Sequence, residues 1–194
     1  MGLEYVNRCG ERYFVLHGKT PKGNAKYYCS KKAGENSVQQ LPEGFELREN
    51  PQTGQVTVRK KRSSPLLPFE RELLVRIIET RSKVKHAIVD VDGKSLVVYT
   101  PDTDADAAVR IMSIMIGSIE DASSLQDEIV RHSSYSPMMR FTLTNPEERL
   151  FSLERWCFSG SIDDWIYIAG DRHLDELASA YAPHLGQDSF FEMM

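Results

Sequence analysis

"HAIVDVDGKSLVVYT", residues 86–100, is the stretch on which the fold turns. Two apolar, β-branched runs flank Asp92-Gly93, and that dipeptide is a strong short-range signal for a type I′ hairpin turn. The spacing predicts two antiparallel strands joined by a tight loop. Upstream, "KKRSSPLLP" (60–68) gathers charge, serines and prolines into a break, and Pro68 suits the first position of a helix, where its missing N–H costs nothing. The apolar spacing then predicts a helix to about Arg81, with Phe69, Leu73, Leu74, Ile77 and Ile78 on one stripe.

Downstream of the hairpin, "TDADAAVRIMSIMIG" (103–117) and "SIEDASSLQDEIVRH" (118–132) read as helices. Asp104 and Ser118 suit their N-caps, and Ser118 with Asp121 forms a capping-box pattern. The Ile- and Met-rich run of the first also fits a strand. "MMRFTLTN" (138–145) and "RLFSLERWCF" (149–158), joined through Asn145-Pro146, predict a meander completed by "DDWIYIAG" (163–170) after a tight turn at Gly160-Ser161. Asp171 is expected to cap a last helix through about Pro183, with Leu174, Leu177, Ala178 and Tyr181 facing inward.

Residues 1–62 read differently. "RYFVLH" (12–17) and "AKYYCSKK" (25–32) flank the loop "GKTPKGN", and "GFELREN" (44–50) and "QVTVRKK" (55–61) flank "PQTG". Alternation puts Phe45, Leu47, Val56 and Val58 on an apolar face, with Glu46, Arg48, Gln55, Thr57 and Arg59 opposite. The expectation is a small antiparallel sheet with one polar, partly basic face. Charge follows the same boundary. Residues 1–62 carry 12 Lys and Arg against 6 Asp and Glu, whereas residues 63–194 carry 12 against 22. The chain therefore reads as α+β: a basic antiparallel β unit over 1–62, then a larger acidic α+β unit over 63–194 with a hairpin, a C-terminal antiparallel meander and flanking helices.

"MGLEYVNRCG" lacks the apolar core of a secretory leader, and the longest uncharged apolar run, Ile111 to Ile119, is far short of a membrane span. Cys9, Cys29 and Cys157 are odd in number and widely spaced, which suits a reducing compartment. A cytoplasmic protein with no membrane partner is expected.

Several stretches imitate catalytic motifs. Gly18-Lys19-Thr20 follows a phosphate-loop order, but Tyr13 stands where such a loop needs its first glycine, and Pro21 opposes the required helix start. Asp102, Asp104 and Asp106 open like a calcium loop, yet Ala107 and Ser113 occupy its glycine and glutamate positions. Asp90, Asp92 and Lys94 could hold Mg²⁺ in a nuclease; the competing reading is a solvated hairpin tip. Cys9, His17 and Cys29 lack the close pairing of zinc ligands. No catalytic residue, metal or cofactor is assigned.

The basic surface offers more. Lys19, Lys22 and Lys26 surround the first loop, Lys31 and Lys32 follow its second strand, and Arg59, Lys60, Lys61 and Arg62 close the unit. With Tyr13 and the candidate stacking residues Tyr27 and Tyr28 interleaved, such a sheet can track phosphates or stack bases. Lysines also protect exposed strand edges, which is the competing reading. The leading expectation is a non-enzymatic binding or adaptor protein with an unknown protein partner. Nucleic-acid binding through the N-terminal sheet comes second, and an enzyme whose site forms only in the fold third.

"GKTPKGNAKYYCSKK" and "LPEGFELRENPQTGQVTVRK" together resemble the N-terminal module of an uncharacterised bacterial protein family. "RFTL", "LERWCFSGSIDDW" and "HLGQDSFFE" are similar to its C-terminal part. The resemblance implies a bacterial cytoplasmic origin and no assigned activity. At the level of fold, the first hairpins are also similar to the small β-sheet DNA-binding arms of tyrosine recombinases.

Overall fold

A computed structural model describes residues 2–116, 121–158 and 163–193. In chain order the elements are β1 (Glu4–Val6), β2 (Arg12–Lys19), β3 (Ala25–Ser30), β4 (Phe45–Glu49), β5 (Val56–Lys60) and α1 (Pro68–Arg81). They continue with β6 (Ile88–Asp92), β7 (Ser95–Pro101), α2 (Ala105–Ile116), α3 (Ala122–His132), β8 (Tyr135–Asn145) and β9 (Leu150–Cys157). β10 (Asp164–His173), α4 (Leu174–Tyr181), a 3₁₀ turn (Ala182–His184) and α5 (Ser189–Glu192) finish the described chain. The fold is α+β, as expected.

The chain forms two compact units: 1–62 with 105–133, and 63–104 with 134–194. One division falls between Arg62 and Ser63. The helical pair α2–α3, which the sequence division counted with the second unit, groups with the first.

In the first unit the four expected strands form two sheets rather than one. The short β1 pairs with β2 to give the order β1-β2-β3, while β4 and β5 form a separate ribbon. In that ribbon Leu47 pairs with Val58 on one face and Glu46 with Arg59 on the other, the alternation the pattern predicts. The buried face of the three-stranded sheet carries Tyr13 and Val15.

In the second unit a five-stranded antiparallel sheet runs β10-β9-β8-β7-β6. Its inward residues Val89, Leu96, Val98, Met139, Phe141, Leu143, Phe151 and Leu153 pack on Leu74, Ile77 and Ile78 of α1 and Leu174, Leu177 and Ala178 of α4.

The hairpin of residues 88–101 forms, but its loop is shifted by one residue. Asp92 pairs with Ser95, so Gly93 and Lys94 are the two loop residues. Gly93 has φ 61° and Lys94 is not left-handed, which matches type II′, where glycine takes the first central position, rather than type I′. Two bonds hold the loop: Leu143 N–H donates to the Lys94 carbonyl at 2.9 Å and Ser64 Oγ to that of Gly93 at 2.7 Å.

Other differences are local. Phe69 is exposed, and the buried place at the start of α1 goes to Glu70. The expected cap at Asp171 does not form, because β10 continues pairing with β9 to His173 and α4 begins at Leu174. Asp171 instead lies at a register shift with φ 54°. α3 begins after Asp121, whose carboxylate accepts from Ser124 N–H at 2.9 Å. The cap at Ser118 and the turn at Gly160-Ser161 lie outside the described residues.

Candidate functional site

Strand register sorts the basic residues of the first unit. On β2 and β3, Lys26 and Tyr28 share a face with Gly18 and Leu16, while Tyr27 and Cys29 share the other with His17 and Val15. The two tyrosines therefore do not form one platform. Tyr27 packs edge-on against Phe45, with ring centres 5.2 Å apart, and against His17 at 5.3 Å. Tyr28 stays exposed, and its ring lies over Gly18, where a Cβ would meet Tyr28 Cε1 at 3.2 Å. Tyr13 is buried and donates to Glu11.

The cations divide in the same way. Lys31 is bonded to Glu11, and its ammonium lies 5.9 Å from the centre of the Tyr13 ring. That bond is the main reason the Glu11 carboxyl sits below its ordinary range and the Lys31 ammonium above its own. Arg59 is paired with Glu46 at 2.7 Å. Lys60, Lys61 and Arg62 are exposed at the end of the ribbon, and Lys32 is exposed beyond β3. Lys19, Lys22 and Lys26 are exposed around the first loop without an ion-pair partner among the described residues. That loop is closed by its own bonds: Thr20 N–H donates to the Asn24 carbonyl at 2.8 Å and Gly23 N–H to the Thr20 carbonyl at 2.8 Å. Gly18-Lys19-Thr20 thus belongs to a hairpin, not a phosphate loop.

Two carboxylates of the calcium-like stretch are held by side chains. Asp102 accepts from Ser134 Oγ at 2.8 Å and Asp106 from Gln126 at 2.6 Å. Cys9, Cys29 and Cys157 are free thiols, and burial pushes the Cys29 thiol up. Among the described residues no cluster of His, Cys, Asp and Glu has the makings of a metal site. On the face of the large sheet away from its core, Arg140 is bidentate to Glu154 at 2.6 and 2.8 Å and stacks 4.5 Å from the centre of the Trp165 ring. A cleft of about 260 Å³ lies beside α1, floored by Val75, Ile78 and Val89, with Glu79, Lys85 and His86 at its rim. His86 has φ 60°.

Two features of the first unit were missed in the sequence. The first is Arg8. Its Nη1 donates to the Ser133 and Arg131 carbonyls at the end of α3, and its Nη2 to the Pro51 and Gln52 carbonyls in the β4–β5 turn. A lone arginine in a loop carries no periodic signal. The second is the exposure on α2. Ala105 and Val109 are buried, whereas Ile111 is 58%, Ile114 84%, Met115 77% and Ile116 72% exposed, and Met112 is also exposed. The apolar run was visible, but its exposure depends on what packs beside it.

Comparison with protein-family models, with curated proteins and with solved structures finds no match. No helix is long and apolar enough to cross a membrane, among the described residues.

Proposed function

We propose that this chain is a non-enzymatic binding or adaptor protein of the bacterial cytoplasm, with the apolar end of α2 as its contact surface. The observation behind this reading is the exposure of Ile111, Met112, Ile114, Met115 and Ile116 on consecutive turns. Contiguous exposed apolar area of that kind marks binding surfaces, whereas scattered single hydrophobes are ordinary. Methionine and isoleucine suit the task, the first because it adapts to irregular partners. The free thiols fit a reducing compartment.

The test is affinity capture from the native host with wild type and Ile114→Asp/Met115→Asp as baits, read by mass spectrometry. A specific protein held by wild type and lost in the variant is the expected result. Equal capture by both baits removes α2 from the reading.

A second reading has its own observation: Lys19, Lys22 and Lys26 are exposed and unpaired around one loop, with Tyr28 on the face of Lys26. Such a tip suits phosphate contacts, which position a strand without reading its sequence.

A further inference from the structure

α2 is apolar around most of its circumference. At 100° per residue, Ile114, Ile111 and Met115 form one stripe, Met112 and Ile116 widen it, and Ala105 and Val109 continue it on the packed side. Asp106, Arg110 and Ser113 leave it one narrow polar face, and an apolar arc this wide calls for cover beyond a single core-facing stripe, yet only one side of it is covered. Its partner α3 offers no fully buried residue, and Leu125, Ile129 and Val130 remain half-exposed. The helical pair is thus half of a core.

We propose that the other half is the α2–α3 pair of a second copy, so that two chains close a four-helix bundle about a two-fold axis. This rests on reading α2 as a protein-contact surface and names its occupant. Two such pairs supply for each other the groove that an apolar arc this wide requires, in the usual geometry of bundles.

Area agrees. At roughly 200 Å² for a fully exposed residue of this size, the five side chains present about 600 Å² per copy, and about 1,200 Å² for the pair is the lower bound of specific interfaces. Charge agrees as well. Residues 111–116 carry none, so the stripe meets itself without repulsion. A membrane fits poorly: residues 105–133 carry 2 arginines against 5 acids and no lysine, whereas surface-seeking helices are basic.

The experiment is sedimentation velocity on the full chain between about 5 and 100 μM, for wild type and Ile114→Asp/Met115→Asp, with circular dichroism as a check on folding. A wild-type dimer at the upper end and a folded, monomeric variant are expected. A wild type that stays monomeric at 100 μM overturns the proposal, as does a variant that still dimerises. Ile114→Gln/Met115→Gln serves if the acidic variant does not fold. A monomeric wild type that still loses a foreign partner in the variant leaves the binding reading standing without this inference.

Discussion

Nε and Nη2 of the Arg149 guanidinium together hold the carboxylate of Glu70, 79 residues away, and only 4% of that side chain is exposed. Glu70 also accepts from the Leu67 N–H at 2.8 Å, so one carboxylate closes the start of α1 and ties it to the β8–β9 turn. Arg149 is held there at φ 55° and donates further to the Pro65 carbonyl.

Removing that carboxylate strands a cation that is only partly open to water. Cutting one partner from a fully buried pair costs about 3–5 kcal/mol; with Arg149 26% exposed, Glu70→Gln should cost about 2–3 kcal/mol. Urea unfolding at pH 7 measures it. A loss below about 0.5 kcal/mol would show that the pair does not hold α1. Arg149→Lys should recover little, because an ammonium cannot make the fork.

Arg8 offers a matching test in the first unit. Arg8→Lys keeps the charge and loses the simultaneous reach to Ser133, Arg131, Pro51 and Gln52. Hydrogen exchange of the α3 amides should accelerate about tenfold or more, in line with the loss of one or two charged hydrogen bonds worth roughly 1.5–3 kcal/mol each. Unchanged protection of residues 122–132 sinks the idea that Arg8 anchors the helix end.

pH should act on the first unit from both sides. Burial raises the Tyr5 and Tyr13 phenols, with Glu49 and Glu11 adding to it, and Lys31 is raised by its bond to Glu11. Each folded-state pKa lies above the unfolded one, so these contributions are whole below about pH 10 and fade as pH rises through the folded values. Glu11 is lowered, so its contribution is present above about pH 4.5 and fades as pH falls through its folded value. Tyr5→Phe should flatten the alkaline limb of a thermal-midpoint profile between pH 9 and 11. Superimposable profiles for the two proteins would refute the assignment.

If the basic tip contacts phosphates, Lys19→Gln/Lys22→Gln/Lys26→Gln should reduce the salt slope of single-stranded DNA binding by about two units, roughly 0.7 per lost contact. Fluorescence anisotropy from 0.05 to 0.2 M salt measures it. Wild type without affinity at about 0.15 M, where screening acts over roughly 8 Å, ends the nucleic-acid reading.

The elements built on local pattern were legible in the sequence. Pro68, the alternation of Val56 and Val58 and the apolar runs around Gly93 each announce an element from its own residues. What depends on distant neighbours was not. Glu70 reads as an ordinary surface acid until Arg149 is beside it, Phe69 looks like core until α1 is seen to turn it outward, and Asp171 looks like a cap until the pairing of β10 with β9 carries the strand past it. The basic tip was readable as charge, but not which lysines their neighbours neutralise. Only geometry separates Lys31, held by Glu11, from Lys26.

The insertion of residues 105–133 between β7 and β8 matters most while the chain is being made. On the ribosome, β7 emerges with Leu96, Val97 and Val98 on a strand whose partner β8 lies beyond Ser134. At synthesis rates of about 5–20 residues per second, the gap from Pro101 to Tyr135 takes roughly 2–7 s. A hairpin such as β6–β7 forms in microseconds, so that strand waits with one edge open for most of the interval. For those seconds the nascent chain offers a chaperone, or a neighbouring nascent copy, the apolar edge that β8 later covers.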